Sequence, residues 1–378
     1  MIDRILKQKI EQSLKLNKAI IILGARQTGK TTLLKSIFKE KENLIWLNGD
    51  DQDTIALFDS TSAARLKTNF EKYKTIIVDE AQRIENVGIK FKLITDQIPE
   101  IQLVATGSSS FDLANKINEP LTGRKIELHL FPISFEEMAA QDGFIHENRL
   151  LPHRMVYGYY PEVVTAKGNE KELLKFISDS YLYKDILLWD KIKKSDKIVK
   201  LLQALAYQVG SEVSYNEISK LIGLDNQTVE KYIQLLEQIY IIFRLPAFSR
   251  NNRKELKRSR KIYFYDNGIR NALISDFRLL EMRNDIGALW ENFLISERMK
   301  YNGYHNVWAQ SYFWRTHDQQ EIDYIEEMDG TLYAYEFKWN ANKNPKLPKT
   351  FSRTYPNHEF KVISPDNYEE FVMSNKDI

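Results

Sequence analysis

The sequence contains no cysteine among its 378 residues. Disulfides, thiolate zinc sites and cysteine nucleophiles are therefore excluded, and a metal ion would need oxygen or histidine ligands. Long apolar runs are also lacking, since a run such as AIIIL at 19–23 is far shorter than the roughly 20 residues that span a bilayer. The first residues, MIDRILKQKIEQSLK, have neither the apolar core nor the small-residue cleavage site of a secretory signal. We therefore expect a cytoplasmic protein with no membrane partner.

Length and composition indicate a folded protein with several domains. A chain of 378 residues is long enough for about two or three domains, each with its own core. Hydrophobic residues make up 43% of the chain and charged residues 28%, which is enough apolar material to offset the entropy of ordering. The net charge of +2 says little about partners, so we look to the positions where charges cluster.

Short apolar runs alternate with helical patterns over the first 130 residues. Such runs are typical of a parallel sheet that helices cover on both faces. We therefore predict an α/β domain over residues 1–130. Its predicted strands are AIIIL at 19–23, NLIWL at 43–47, TIIVD at 75–79, IQLVA at 101–105 and IELHL at 126–130.

Three further regions follow this domain. Residues 131–195 are rich in helical and aromatic patterns, and we predict a helical lid or connector there. Residues 196–265 contain three helical patterns and then two strand patterns around a basic run, an order typical of a winged helix-turn-helix. Residues 266–378 hold an amphipathic helix followed by strands.

Residues 24–31 read GARQTGKT, which fits the phosphate-binding pattern G-x-x-x-x-G-K-[ST] between a predicted strand and a predicted helix. Glycines at both ends let the loop turn tightly, so that backbone N–H groups point at phosphate oxygens. Lys30 would reach the β- and γ-phosphates, and the Thr31 hydroxyl would ligate Mg²⁺. The alternative is a chance glycine-rich loop. The predicted nucleotide-binding residues of this segment are Gly24, Ala25, Arg26, Gln27, Thr28, Gly29, Lys30, Thr31 and Thr32.

Two further predicted strands end in polar side chains. TIIVDEAQ at 75–82 places Asp79 beside the predicted Mg²⁺ site and Glu80 where it could orient or deprotonate a water, which favours hydrolysis over binding alone. IQLVATGSSS places Thr106 and Ser108 at the next strand end, where open parallel sheets bind ligands. Of these two we favour Ser108 as the contact to the γ-phosphate. The alternatives are a solvated acidic strand end and a hydroxyl that only caps a helix.

Arg124, in LTGRKIELHL, precedes the last predicted strand of this domain. An arginine near the γ-phosphate can raise the rate of hydrolysis by orders of magnitude, from the same chain or from a neighbouring subunit. The alternative is a surface arginine.

Together, GARQTGKT, TIIVDEAQ and LVATGSSS resemble the AAA-type ATPases of the P-loop NTPase superfamily. That resemblance implies ATP as the nucleotide, adjacent strands for the two phosphate-site motifs, and assembly into oligomers in which arginines act across subunits.

The segment SRNNRKELKRSRK at 249–261 is strongly basic and falls in the predicted wing. Such a run suits DNA phosphate contacts, which give affinity without sequence information. Side chains at the start of the predicted recognition helix, 225–240, could reach base edges: Asn226, Gln227, Thr228 and Lys231. The alternative is a solvated linker, or a winged helix that only packs between domains. The predicted phosphate contacts are Arg250, Arg253, Lys254, Lys257, Arg258, Arg260 and Lys261.

A second candidate site lies near the carboxyl end. Glu336 and Lys338 fall on the same face of a predicted strand, and Asp323 lies on the strand before it, joined by an Asp-Gly turn. The two acids could hold Mg²⁺ for phosphodiester attack, with Lys338 stabilising the transition state. This arrangement resembles the PD-(D/E)xK, restriction-endonuclease-like superfamily. The resemblance implies a further metal ligand from the preceding helix, for which we choose Glu291 and keep Glu297 as the alternative; E-x-K is also a common strand pattern without function.

The order of all these parts, with FPISFEEM, YGYYPEVV and SYLYKDIL between them, resembles a family of bacterial and archaeal AAA-type ATP-binding proteins with a carboxy-terminal domain of unknown function. The resemblance implies ATP binding and hydrolysis, a winged helix and a nuclease-like core over 266–378. Our leading hypothesis is an ATPase that repositions a DNA-binding, nuclease-like half. The alternatives are an ATP-switched regulator that docks a protein partner without catalysis, and an ATP-gated metal-dependent nuclease.

Overall fold

A computed structural model describes residues 2–59, 62–108, 117, 120–166, 168–189, 195–250, 259–343 and 345–374. Contacts between residues divide the chain into two compact units. The amino-terminal unit holds residues 1–132 and 238–240, and the carboxy-terminal unit holds residues 133–237 and 241–378. Within the described ranges, every helix is too short or too polar to cross a bilayer.

The amino-terminal unit alternates strands and helices, as predicted. Its strands are β1 (Ala19–Leu23), β2 (Leu44–Asn48), β3 (Thr75–Asp79), β4 (Gln102–Gly107) and β5 (Lys125–His129). Its helices are α1 (Leu6–Ser13), α2 (Lys30–Phe38), α3 (Gln52–Phe58), α4 (Ala63–Phe70) and α5 (Val87–Gln97), with 3₁₀ turns at Leu14–Leu16 and Ala81–Arg83.

These five strands form one parallel sheet in the order β2-β3-β4-β1-β5. The prediction of an α/β domain with a parallel sheet is confirmed. The expectation that the two phosphate-site strands are adjacent is wrong, because β4 lies between β1 and β3 and pairs with both. All five residues of β1 are buried, which explains why a central parallel strand is an unbroken apolar run.

The carboxy-terminal unit is larger and mixed. Its strands are β6 (Ile242–Pro246), β7 (Arg260–Phe264), β8 (Gln310–Arg315), β9 (Glu321–Met328), β10 (Thr331–Phe337) and β11 (His358–Ile363). Its helices are α6 (Phe135–Asp142), α7 (Phe144–Arg149), α8 (Leu151–Tyr157), α9 (Pro161–Thr165), α10 (Glu170–Trp189), α11 (Ser195–Tyr207), α12 (Tyr215–Ile222), α13 (Asn226–Gln238), α14 (Asn267–Leu273), α15 (Ile286–His305), α16 (Lys349–Thr354) and α17 (Glu369–Val372), with a 3₁₀ turn at Leu280–Met282.

Helices α11, α12 and α13 precede an antiparallel hairpin of β6 and β7. Gly223 ends α12 in the left-handed conformation, where glycine carries no steric cost. The Asp225 carboxylate then accepts a hydrogen bond from the backbone N–H of Thr228 at 2.9 Å, which caps the first turn of α13. The three helices and the hairpin thus follow one another as the sequence patterns predict, and their identification as a winged helix stays a prediction.

The remaining strands form a second sheet in the order β11-β10-β9-β8. Strands β8, β9 and β10 pair antiparallel, whereas β10 and β11 pair parallel. Asp329 and Gly330 both have positive φ, and this is the backbone that a two-residue hairpin turn between β9 and β10 requires. Helix α15 precedes the sheet and α16 connects β10 to β11, so the elements follow the order αβββαβ.

One buried ion pair joins α15 to this sheet. Glu326 of β9 is fully buried, and Arg298 of α15 donates two hydrogen bonds to its carboxylate, at 2.9 and 2.7 Å. Arg298→Met would leave that carboxylate buried without its cation, so we expect a loss of about 3–5 kcal/mol of unfolding free energy. Five of the six tryptophans lie in the carboxy-terminal unit, so the midpoint of urea unfolding followed by tryptophan fluorescence measures the effect.

Arg353→Met is the matched control for this prediction, because Arg353 is an exposed arginine in the same unit. We expect its unfolding midpoint to stay close to that of the wild type. An equal midpoint for Arg298→Met and Arg353→Met would contradict a stabilising role for the buried pair.

Candidate functional site

The loop between β1 and α2 has the backbone that the phosphate-binding pattern predicts. A Cβ atom at Gly24 would lie 2.1 Å from the Leu130 carbonyl oxygen, so only glycine fits there. Gly29 caps α2 in the left-handed conformation with φ 93°. Lys30 begins the helix, is only 5% exposed, and donates from Nζ to the carbonyl oxygens of Gly24 at 2.8 Å and Ala25 at 2.7 Å. The loop therefore holds the lysine amine close to its own backbone.

Thr31 and Asp79 meet although their segments follow different strands. The Thr31 hydroxyl donates to Asp79 Oδ2 at 2.7 Å, and the hydroxyl of Thr106 on β4 donates to the other oxygen of the same carboxylate. Because β4 lies between β1 and β3, Thr106 connects the two motifs across the sheet. A hydroxyl beside a carboxylate fits the oxygen ligands that Mg²⁺ prefers.

Glu80 has a left-handed backbone with φ 51°, and its N–H donates to the Thr106 hydroxyl at 3.2 Å. Its carboxylate oxygen Oε2 accepts from Gln82 Nε2 at 2.6 Å and from the Ser108 hydroxyl at 3.3 Å. The same Gln82 amide lies 3.1 Å from Ser108. The structure thus brings Glu80 and Ser108 together, and it adds Gln82, which the sequence analysis did not select.

Arg4 is a second residue that the sequence analysis did not select. Its guanidinium is almost fully buried and donates to the carbonyl oxygens of Thr28 at 2.8 Å and Phe131 at 2.7 Å. The Thr28 hydroxyl in turn donates to the Ala25 carbonyl at 2.8 Å. Arg4 therefore ties the phosphate-binding loop to the chain that follows β5.

In the carboxy-terminal unit, Asp323, Glu336 and Lys338 lie together. Lys338 Nζ is 2.7 Å from Glu336 Oε2 and 3.4 Å from Asp323 Oδ2, and Asp323 also accepts from the Phe337 N–H at 2.8 Å. Burial and the charge of Asp323 raise the pKa of Glu336. The hairpin between β9 and β10 is what brings these three side chains together.

Glu291 on α15 has other partners. Its Oε1 lies 3.0 Å from Lys261 Nζ and accepts from the Tyr263 hydroxyl at 2.6 Å, and burial raises the pKa of Glu291 to about 7. The alternative, Glu297, is buried, lies 2.5 Å from Lys300 and accepts from the Phe135 N–H at 2.7 Å.

Metal binding in the carboxy-terminal unit was predicted at Glu291, Asp323 and Glu336. Among the described residues, no group of three histidine or acidic side chains is arranged to hold a metal ion. Lysine amines instead lie against the acids of this region, so the cluster as folded does not fit a divalent metal.

The predicted basic wing is only partly available to DNA. Lys261 is 1% exposed and paired with Glu291 and Glu321, so its prediction as a DNA phosphate contact is wrong. Arg260 is partly buried against Tyr215, and its NH1 lies 2.8 Å from that hydroxyl. Arg250 is exposed. The other predicted contacts lie outside the described residues: Arg253, Lys254, Lys257 and Arg258.

The amino end of α13 presents polar side chains to solvent. Asn226, Gln227 and Lys231 are exposed. Thr228 is half-buried, and its hydroxyl donates to Asp225 at 2.6 Å. Three of the four residues predicted to reach base edges are therefore accessible.

Family comparisons match three successive segments of the chain. The family described as an AAA domain matches residues 16–139. This match covers most of the amino-terminal unit, which we therefore call the AAA domain. Two families described as domains of unknown function, DUF8612 and DUF4143, match residues 148–280 and 286–374. The chain therefore joins a segment that matches an AAA domain to two segments that match families described as domains of unknown function.

Similar proteins keep most of this length. An uncharacterized protein of Mycobacterium tuberculosis is 24% identical over 336 residues, which cover 87% of this chain and 72% of that protein. An uncharacterized protein of Methanocaldococcus jannaschii is 25% identical over 406 residues, which cover 99% and 88%. A solved signal transduction ATPase with a tetratricopeptide repeat sensor from Pyrococcus horikoshii aligns with TM-score 0.31 and 11% identity over 82% of this chain and 48% of that chain. The AAA match is what supports an ATP-binding ATPase.

Arg124 lies at the amino ends of the strands of the AAA domain, whereas the phosphate-binding loop lies at their carboxyl ends. It precedes Lys125, which pairs with the first residue of β1, whereas the loop follows the last residue of that strand. The five residues of β1, which separate these two ends, span about 13 Å. Arg124 is also 2.5 Å from Asp96 on α5. The structure therefore does not bring Arg124 to Lys30 and Glu80 of the same chain, and a role in catalysis would have to be in a neighbouring subunit.

We expect Arg124→Ala to leave the ATP turnover of an isolated chain within about twofold of the wild type, because exposed ion pairs contribute little. If the protein forms oligomers in which Arg124 acts across subunits, the specific activity of the wild type should rise with protein concentration. The specific activity of Arg124→Ala should then stay constant. Phosphate release measured over a range of protein concentrations checks both statements. A large loss of rate at high dilution would show that Arg124 acts within its own chain.

Proposed function

We propose that the AAA domain binds ATP with Mg²⁺ and hydrolyses it, and that the nucleotide state repositions a DNA-binding, nuclease-like carboxy-terminal half. The observation that carries the proposal is the hydrogen bond between Thr31 and Asp79, with Lys30 and Glu80 next to them in sequence. Four chemically complementary groups at the carboxyl ends of two strands of one sheet are what phosphoryl transfer to water requires.

Each of these residues has a distinct role in the proposal. Lys30 would contact the β- and γ-phosphates, and Thr31 and Asp79 would hold Mg²⁺. When bound, Mg²⁺ neutralises charge on the β- and γ-phosphate oxygens. Glu80 would orient the attacking water and accept its proton. Ser108, which hydrogen-bonds Glu80, would be the contact that depends on the γ-phosphate.

Gln82 would position Glu80 in this scheme. Its amide donates to the Glu80 carboxylate and also contacts Ser108, so it fixes one carboxylate oxygen while the other stays available for water. The left-handed backbone of Glu80 adds to this constraint, since a non-glycine residue adopts it only where the surroundings impose it.

Steady-state phosphate release tests the proposal. The purified chain should release phosphate from ATP in the presence of Mg²⁺, and double-stranded DNA should change the rate if the two halves are coupled. Tight ATP binding without phosphate release would instead favour the regulator that docks a protein partner.

Binding to DNA is supported by the order α11, α12, α13 and hairpin, and by the exposed side chains Asn226, Gln227, Lys231 and Arg250. We expect the affinity for DNA to fall steeply with salt, because phosphate contacts release counterions. Fluorescence anisotropy with a labelled duplex at several salt concentrations measures this dependence.

A second candidate function, DNA cleavage, is favoured by the order αβββαβ and by the position of Asp323, Glu336 and Lys338. The amine of Lys338 lies against both acids of this site. Nicking of supercoiled plasmid in Mg²⁺ or Mn²⁺, compared between the wild type, Asp323→Ala and Glu336→Ala, tests this candidate. Cleavage that both variants retain would not come from this site.

A further inference from the structure

Two lysine amines lie among four carboxylates of the carboxy-terminal unit. Lys261 Nζ is 3.0 Å from Glu291 Oε1 and 2.5 Å from Glu321 Oε1. Lys338 Nζ, as described above, lies against Asp323 and Glu336. We name these six residues the acid–lysine cluster: Lys261, Glu291, Glu321, Asp323, Glu336 and Lys338. Every acid of the cluster therefore has an ammonium group within ion-pair distance.

Lys261 is held in place by its strand. It pairs with Leu245 of β6 on one side of β7 and forms a bridge with Glu212 on the other. Its side chain is buried, and the ammonium lies 5.4 Å from the centre of the Phe313 ring. An ammonium fixed by its own backbone in this way differs from a surface lysine that finds an acid by chance.

The partners of Lys261 are held as well. The Tyr263 hydroxyl donates to the same Glu291 oxygen that faces the lysine, and Arg315 Nε lies 3.7 Å from Glu321 Oε2. A side chain at Gly210 would lie 3.3 Å from Glu291 Oε2, so the glycine leaves room for the carboxylate. The glutamates therefore cannot easily turn away from the lysine toward another cation.

We propose that Lys261 is the resident cation of the acid–lysine cluster and takes the place that a divalent metal ion would have in a nuclease, so that the folded chain binds no metal there. A metal ion would have to displace a buried ammonium and also give up part of its own hydration, which Mg²⁺ does reluctantly. This inference goes beyond the proposed ATPase and does not depend on it. It does bear on the cleavage candidate, because Mg²⁺-dependent or Mn²⁺-dependent nicking that Asp323→Ala and Glu336→Ala both abolish would contradict it.

Lys261 belongs to the hairpin of β6 and β7, which is the predicted DNA-binding wing. Lys261, which the sequence predicts as a DNA phosphate contact, thus pairs with Glu291, which the sequence predicts as a metal ligand. The chain of this hairpin therefore carries both Arg250, which is exposed, and the internal cation of the cluster.

Counting bound Mn²⁺ by electron paramagnetic resonance tests the proposal on the full chain without nucleotide. All variants carry Asp79→Asn, so that the proposed Mg²⁺ site of the amino-terminal unit, at Thr31 and Asp79, loses its carboxylate ligand. We expect the Asp79→Asn parent to bind no Mn²⁺, and Lys261→Met in this background to bind one Mn²⁺ per chain. Adding Glu291→Gln and Glu321→Gln to Lys261→Met should abolish that binding, and the exposed control Lys346→Met should behave like the parent.

Two results would overturn the proposal. One is a parent chain that binds Mn²⁺ and loses it on Asp323→Asn, because the cluster would then accept a metal beside Lys261. The other is a folded Lys261→Met variant that binds none. If Lys261→Met does not fold alone, Mn²⁺ should restore the circular dichroism of the parent, since a metal that binds only the folded state stabilises it. Failure of Mn²⁺ to restore folding would equally contradict the proposal.

Discussion

Lys30→Ala should lower ATP turnover by about 100-fold or more, which is the usual cost of removing one charge-stabilising donor from an active site. Lys30 is buried at the start of α2, and its amine already lies against the loop that would surround the phosphates. Alanine removes the only side-chain cation of the segment GKT and leaves the helix intact, because alanine is a good helix former. Phosphate release and calorimetric titration with ATP measure turnover and binding separately.

Lys35→Ala is the matched control for this prediction. Lys35 lies on the same helix, is exposed and contacts the face of Trp46 at 5.9 Å, so it shares the helix but not the loop. We expect its turnover to match that of the wild type. Tight ATP binding by Lys30→Ala, or an equal loss in both variants, would contradict the assignment of the loop as a phosphate site.

Local patterns of the sequence predicted the strands and the loop of the AAA domain well. A buried parallel strand must be apolar along its whole length, so β1 and β3 are visible as runs. Gly29 is likewise required by local geometry, since it caps α2 in the left-handed conformation with φ 93°. Such features depend on neighbours in sequence, and a pattern records them.

Contacts between distant residues were not visible in this way. Arg4 reaches a loop 24 residues away and a carbonyl 127 residues away, and no spacing rule links these positions. The strand order that places Thr106 beside Asp79 depends on how the whole sheet pairs. Gln82 lies within TIIVDEAQ and could have been found by asking which side chains can contact Glu80.

Charge patterns were the least reliable guide in the carboxy-terminal unit. Lys261 and Glu291 are 30 residues apart, and each was assigned to an outside partner, DNA for one and a metal for the other. In the structure they pair with each other, because burying either charge alone would cost several kcal/mol. A run of basic residues therefore predicts a charged surface only where the strand that carries it is exposed.

Glu80→Gln should keep ATP binding and lower ATP turnover by about 10²–10⁴-fold, which is the usual contribution of a general base. Glutamine has nearly the same shape, and its amide oxygen can still accept the hydrogen bond from Gln82, so the left-handed backbone and its contact to Thr106 should persist. The amide cannot accept a proton from water at neutral pH. The variant should therefore retain ATP through gel filtration, whereas the wild type should retain ADP.

Glu85→Gln controls for the loss of one negative charge close to Glu80 in sequence, because Glu85 is exposed. We expect normal turnover from it. A combination of Glu80→Gln with Gln82→Ala separates positioning from proton transfer. If Gln82 acts only through Glu80, its removal should slow the wild type but have almost no further effect in Glu80→Gln, since coupled residues are not additive. Normal turnover in Glu80→Gln would remove Glu80 from the proposed role, and a full additional loss from Gln82→Ala in that variant would show that Gln82 acts by another route.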